Sequence, residues 1–358
     1  MSPHLMVVAA GTGGHVMPGL AVAEALRDRG WSVSWLGTRA GQERGWVEPR
    51  GIAFDAIDFS SLRGKGAKAL LLGGFHLLRA FWQSRALIRA RKPRAMFSTG
   101  GYVAVPAGMA ASALGVPLIL MNSDAAPLMS TSLLRPLAAA VLCGFDGAAA
   151  QRAGAKGIVT GNPVRAGIAQ IATPEQRFNG RSGPLQLLIV GGSLGARVLN
   201  ESVPRALALI SAEKRPRVVH QCGTAHVAAV TDLYESLAVE AEVVPFLDDM
   251  PTRYAVADVV VCRAGAITVS ELAVAGVASV LVPLMVSTTS HQRANAELMA
   301  AHGAAIHLPQ AELTAERLAD LLRGLTRDQL LVIAQAARAM GKPSATEAVA
   351  SSIEQAAA

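Results

Sequence analysis

Twice along this chain a short apolar run leads directly into a glycine cluster and then into a helical pattern. Leu5–Ala10 runs into Gly11-Thr12-Gly13-Gly14-His15, and Leu185–Val190 runs into Gly191-Gly192-Ser193-Leu194-Gly195. After the first come Val33–Leu36, Met96–Phe97, Leu118–Met121 and Ala140–Cys143, with helical stretches such as Gly19–Asp28 and Lys68–Arg91 between them. After the second come Arg217–Gln221, Glu242–Val244, Asp258–Val261 and Ser279–Val282. Strands that alternate with helices predict an α/β protein with parallel sheets wrapped by helices. The restart predicts two Rossmann-like domains facing a cleft, with ligands at the carboxyl ends of the strands.

The length of 358 residues exceeds one ordinary core and fits two. The boundary is placed in the Gly- and Pro-rich stretch Lys156–Gly183, which divides the chain into 1–162 and 163–340. Residues 341–358 are expected as a C-terminal helix that packs back on the N-terminal domain. The three cysteines, Cys143, Cys222 and Cys262, lack metal-ligand spacing and read as reduced thiols of a cytosolic protein. No basic region precedes the first apolar run, so no signal peptide is expected. The uncharged runs Ala95–Ser123 and Leu272–Ser290 exceed the roughly 18 residues of a membrane span. Internal glycines and prolines make buried strand–loop–helix stretches the better reading of both.

The net charge of +7 is concentrated at one end. Residues 1–100 hold 14 basic and 6 acidic side chains, and no acid stands between Asp58 and Asp124. Such a balance suits phosphates, nucleic acid or an anionic lipid surface. General solubility is the alternative, but it does not explain the asymmetry. Leu70, Leu71, Leu72, Phe75, Leu77, Leu78, Phe81 and Trp82 lie among Lys65, Lys68, Arg79 and Arg85. An ordinary amphipathic helix would turn one stripe to the sheet. This run is apolar nearly all round, and Phe81 and Trp82 cannot share one stripe, so partial membrane contact is expected. Nucleic acid is not an expected partner.

A glycine loop between strand and helix lets backbone N–H groups approach a phosphate, and the helix N-terminus adds positive charge. The first loop has neither the G-x-G-x-x-G spacing of a dinucleotide site nor a P-loop ending. That absence argues against a dinucleotide-dependent oxidoreductase. His15 follows the loop and can act as a base or simply hold the turn. Residues 262–271 open another helix after a strand. There Glu271 can accept bonds from two ribose hydroxyls, or serve only as a helix-start carboxylate. No Asp-x-Asp pair or Cys/His cluster suggests a metal, and no cofactor is expected.

The motif Gly11-Thr12-Gly13-Gly14-His15-Val16-Met17-Pro18-Gly19-Leu20-Ala21 resembles the opening signature of the MurG family. Further matches are Leu62–Gly66, Gly100–Val103, Gly161–Arg165, Gly191–Ser193 with Gly195–Arg197, Ala266–Glu271, and His291-Gln292 with Asn295-Ala296. They run in order over nearly the whole chain. The resemblance implies a GT-B fold and a metal-independent inverting transfer of N-acetylglucosamine. It implies UDP-GlcNAc as donor and, as acceptor, the 4-hydroxyl of the muramyl sugar of undecaprenyl-pyrophosphoryl-MurNAc-pentapeptide. It implies donor contacts at Thr12, Gly13, Gly14, Asp124, Arg165, Ser193, Leu247, Ala266, Ile267, Thr268, Val269, Ser270, Glu271 and Gln292. Tyr102 falls on the acceptor side, and His15 is the candidate base. The membrane contacts expected are Lys65, Lys68, Leu71, Phe75, Leu78, Arg79, Phe81 and Trp82. The location implied is the cytoplasmic face of the inner membrane, with cell-wall synthesis and division proteins as partners.

The chain departs from that pattern at three places. Met121-Asn122-Ser123-Asp124 stands where His-Glu-Gln-Asn is usual, Leu194 where glutamine is usual, and Ser290 where an acid often precedes His291. A diverged relative with another sugar, or a weak nucleotide-sugar binder, is the alternative these changes keep open.

Overall fold

A computed structural model describes residues 2–11, 13–39, 41–59, 67–192, 194–284 and 291–358. The chain forms two compact units. One comprises 1–164 with 343–358, and the other 165–342.

The first unit is built on strands β1 (His4–Ala9), β2 (Ser32–Thr38), β3 (Ala53–Ile57), β4 (Ala95–Gly100), β5 (Leu118–Asn122), β6 (Ala140–Cys143) and β7 (Gly157–Val159). All adjacent pairs are parallel, in the order β3-β2-β1-β4-β5-β6-β7. Alternate residues of β1 feed two cores, as period-two alternation requires. Leu5, Val7 and Ala9 pack under helix α1 (Gly13–Asp28), while Met6 and Val8 face the opposite layer. That layer contains α2 (Ala67–Arg91), α3 (Ala104–Ala113) and α4 (Met129–Leu134), with α3 in contact with both neighbours.

The second unit repeats the plan with β8 (Gln186–Val190), β9 (Arg217–Gln221), β10 (Glu242–Val244), β11 (Val259–Cys262), β12 (Ser279–Leu281) and β13 (Ile306–His307). Its order is β10-β9-β8-β11-β12-β13, again parallel throughout. Among its helices are α5 (Arg197–Ala208), α6 (Ala266–Ala275) and α7 (His291–Ala301). The strand order reverses at β1/β4 in one sheet and at β8/β11 in the other. Crevices at such reversals are where doubly wound folds bind ligands.

The last helix, α8 (Ala345–Ala357), belongs to the first unit. Val349, Ala350 and Ile353 complete its core. Arg29 pairs with Glu347 and Glu354, and Trp31 Nε1 donates to Glu354 at 3.2 Å. Among the described residues no helix is long and apolar enough to cross a membrane. The uncharged run from Ala95 resolves into β4, α3 and β5. The second run holds the end of α6 and β12, and residues 285–290 lie outside the described residues.

Three of the described strands were not expected: β3, β7 and β13. The helix predicted over Gly19–Asp28 starts six residues earlier, at Gly13. Pro18 sits inside its second turn, where the loss of one N–H bond is tolerated because burial of Val16, Leu20, Val22 and Ala23 outweighs it.

Candidate active site

In the first unit the loops after β1, β2, β4 and β5 meet at one end of the sheet. Gly11 and Gly101 adopt the left-handed region at φ +109° and +82°. A Cβ at Gly101 would stand 2.6 Å from the Ala10 carbonyl oxygen, so the loop after β4 closes on β1 only because this residue is glycine. His15 lies in the first turn of α1, partly buried. Its Nδ1 is 2.9 Å from the Thr99 carbonyl, and the Thr99 hydroxyl donates to the His15 carbonyl at 2.6 Å. Gly13 and Gly14 share this turn, and Gly14 is exposed. Tyr102, just past β4, lies with its hydroxyl 3.4 Å from Thr38 Oγ1.

The unusual stretch after β5 has a structural explanation. Asn122 is buried, and its side chain donates to the carbonyls of Asp124 and Ala126 and accepts from Leu128 N–H. Both its amide nitrogen and its amide oxygen are engaged by the loop that carries the half-buried Asp124. Asn162 Nδ2 donates to the Ser123 carbonyl at 2.9 Å and lies against Gly144, where a Cβ would stand 2.3 Å away. The Gly161–Arg165 motif thus anchors the chain before it enters the second unit.

In the second unit the centre is α6. Its N-cap residue, Gly265, has no side chain to cap the helix, which leaves the first-turn N–H groups of Ala266, Ile267 and Thr268 available to an anion. The opposite end is closed by two cations. Buried Arg177 donates to the carbonyls of Ala275 and Gly276, and Arg338 to those of Val274 and Ala275. The negative end of the helix dipole is therefore neutralised and the positive end left open.

One turn into α6, Glu271 is 2% exposed, and Val269 and Ser270 beside it are also buried. Arg165 Nε stands 2.9 Å from Glu271 Oε1. Burial pushes the Glu271 carboxyl up to about 7, against the opposing effects of Arg165 and the Tyr254 hydroxyl. Leu247 is buried, at 4% exposure. Its neighbour Phe246, passed over in the sequence reading, is 53% exposed at the loop after β10. Gln292 Oε1 accepts from Leu284 N–H at 2.9 Å. Gln221 holds the second glycine loop by accepting from Gly192 N–H and donating to the Gly192 and Pro245 carbonyls. Leu194, at the tip of this loop, is 75% exposed.

Thr12, Ser193 and Lys65 lie outside the described residues, as do the side chains of Lys68 and Leu71. The structure groups Gly13, Gly14, His15, Tyr102 and Asp124 in the first unit. Arg165, Leu247, Ala266–Glu271 and Gln292 fall in the second. On α2, Phe75, Leu78 and Trp82 project into solvent. Phe81 is partly buried against the sheet core, because the residue next to an outward Trp82 on a helix turns about 100° away. Arg79 is exposed and paired at 3.0 Å with Asp58, which it shares with Arg39, so the cluster keeps a net positive charge.

The profile of the Glycosyltransferase family 28 N-terminal domain matches residues 5–143, and that of the family's C-terminal domain matches 186–355. The chain belongs to glycosyltransferase family 28. A UDP-N-acetylglucosamine--N-acetylmuramyl-(pentapeptide) pyrophosphoryl-undecaprenol N-acetylglucosamine transferase of Methylibium petroleiphilum is 56% identical over 98% of this chain and 97% of that one. A protein of the same name from Chromobacterium violaceum is 55% identical over 98% of both. Among solved structures, Acinetobacter baumannii MurG superposes with a TM-score of 0.85 at 36% identity, covering 99% of each chain. The glycosyltransferase of kitacinnamycin, at 18% identity and a TM-score of 0.73, shares the fold. The architecture is the two-domain GT-B fold, and the family 28 chain is a glycosyltransferase.

Proposed function

We propose that this family 28 enzyme transfers N-acetylglucosamine from UDP-GlcNAc to the 4-hydroxyl of the muramyl sugar of undecaprenyl-pyrophosphoryl-MurNAc-pentapeptide. The observation that carries the reading is identity of 56% to a protein named for this transfer, over 98% of this chain and hence across both units. The second unit is the donor domain. The open N-terminus of α6 suits the diphosphate, which leaves as an anion and needs stabilising positive charge. Glu271 holds the ribose once Arg165 turns from it to the diphosphate. Phe246 offers a flat face to the base, and the Gln292 NH2 donates to a sugar oxygen. The first unit is the acceptor domain, with His15 as base.

The first unit also carries the membrane contact, on the cytoplasmic face of the inner membrane. Phe75, Leu78 and Trp82 of α2 are joined by Met109 of α3, by Met129 and Leu133 of α4 and by Leu137 just after it. Three packed helices thus present apolar side chains from one layer. Arg85 lies 5.5 Å from the Trp82 ring, and Arg89 and Arg135 are exposed on the same layer. Apolar bulk ringed by Arg matches an anionic interface. Cell-wall synthesis and division proteins are the partners such a position favours.

The test is incubation of purified protein with UDP-GlcNAc and a short-chain analogue of the lipid acceptor. The lipid-linked disaccharide is the expected product. Thermal stabilisation by NAD and not by UDP-GlcNAc would instead favour a dinucleotide enzyme.

A further inference from the structure

Glu43 is fully buried, and none of the roles above uses it. It lies five residues beyond the end of β2, and its carboxylate reaches back into the loops at the carboxyl end of the first sheet. Oε1 accepts from the Thr38 N–H at 2.7 Å and from the Thr38 hydroxyl at 2.8 Å. Oε2 faces the Gly11 N–H at 3.5 Å, the long limit of a hydrogen bond. Two glycines make room for it. A Cβ at Gly37 would stand 2.9 Å from Oε1, and one at Gly41 would stand 2.0 Å from Oε2. The carboxylate thus sits in a cradle that only glycine allows, beneath the first glycine loop.

The polarity of this network can be read from donor counts. The Thr38 hydroxyl has one proton, and the carboxylate takes it. The 3.4 Å contact between Thr38 Oγ1 and the Tyr102 hydroxyl therefore has Tyr102 as donor. With its proton turned inward, the Tyr102 hydroxyl presents lone pairs on its other side. We infer that Glu43 is a positioning residue: it fastens the loop that leads to His15 and, through Thr38, sets Tyr102 as a hydrogen-bond acceptor for a donor group of the acceptor substrate. The substrate half of this inference rests on the transfer reaction proposed above; the loop half does not.

The test compares full-length wild type, Glu43→Gln and Thr38→Val. Glutamine keeps an acceptor for Thr38 but sets an N–H against the Gly11 N–H. Valine keeps the shape of Thr38 and removes the hydroxyl that links Glu43 to Tyr102. Hydrogen exchange needs no substrate. In Glu43→Gln it should quicken by about 10-fold over residues 9–15 and stay unchanged over 186–196. In both variants kcat should fall by about 10-fold or more and the acceptor KM should rise, with the donor KM within about 2-fold of wild type. Unchanged exchange in the loop together with unchanged kcat overturns the inference. So does an equal rise in exchange throughout the first unit, which would make Glu43 an ordinary core residue. If Glu43→Gln does not fold, Thr38→Val decides alone: wild-type kcat overturns the inference, and a fall in kcat at constant donor KM supports it. If wild type transfers no sugar while the loop-confined exchange effect is present, the reaction is wrong and the loop half stands.

Discussion

His15 Nδ1 lies 2.9 Å from the Thr99 carbonyl oxygen, and that contact settles which nitrogen of the ring is basic. A carbonyl only accepts, so Nδ1 carries the proton and the lone pair of the neutral ring is on Nε2. The return bond from the Thr99 hydroxyl holds the turn in place. His15→Ala is expected to lower kcat by roughly 10²-fold with the donor KM nearly unchanged. Steady-state kinetics check this, and wild-type kcat in the variant would reduce His15 to a support for the loop.

Glu271 should make donor binding depend on pH. Its carboxyl is raised from 4.5 to about 7, chiefly by burial. The protonated form is favoured in the folded state, so its contribution to stability is full below pH 4.5 and fades as pH rises through about 7. Ribose hydroxyls are held best by the charged form, so the donor KM should fall over the same rise. Glu271→Gln should flatten the dependence of Tm on pH between 5 and 8 by removing the group that titrates there. Glu271→Ala should raise the donor KM by about 10-fold, the loss of charge-assisted bonds. A donor KM that Glu271→Ala leaves unchanged removes this residue from the donor site.

His220 sets an acid limit on the second unit. It is completely buried, with Nδ1 2.9 Å from the Tyr234 hydroxyl and Nε2 3.1 Å from Asn200 Oδ1. Burial lowers its pKa from 6.5 to about 4. The unfolded chain takes up this proton first, so stability is lost as pH falls from 6.5 towards 4. His220→Gln should weaken that slope, at the expense of lower stability near neutral pH from imperfect packing. Calorimetric Tm values from pH 4 to 7 decide it, and an identical slope in the variant assigns acid sensitivity to other groups.

Membrane binding should follow the exposed side chains and not the whole apolar run. Trp82→Ser with Phe75→Ser, or Met129→Ser with Leu133→Ser, should weaken co-sedimentation with anionic vesicles while leaving Tm nearly unchanged. Phe81→Ser should instead lower Tm, because that ring packs, partly buried, against the core. Each basic side chain near the surface adds about 1 kcal/mol, a contribution that high salt should remove while the apolar part persists. Wild type that stays in the supernatant at low salt would leave this layer as bare surface and require another route to the lipid.

The strand-to-helix alternation was legible from the sequence because parallel strands buried on both faces are continuous apolar runs. Leu5–Ala10 and Leu185–Val190 carry that signal, and the glycines after them mark turns whose backbone other side chains cannot follow. The family motifs were legible because each is a short local stretch of sequence, as at Gly11–His15 after the first of these runs. β3 and β13 were not. β3 has Asp55 within it, and β13 is two residues long, so neither offers enough period to read.

What the tertiary structure alone decided is which distant groups meet. No spacing in the sequence joins Glu43 to Gly11, Arg165 to Glu271 or Arg29 to Glu347, because each pair is brought together by separate strands or helices. The same holds for the direction of each helical face. Phe81 and Trp82 are neighbours with similar hydropathy, and only packing against the sheet turned one ring inward and left the other in solvent. Asn122 likewise reads as a missing carboxylate until its three bonds to the loop that follows are seen. Local propensity and periodicity are written in adjacent residues, whereas burial, charge pairing and pKa arise between segments and exist only once the chain has folded.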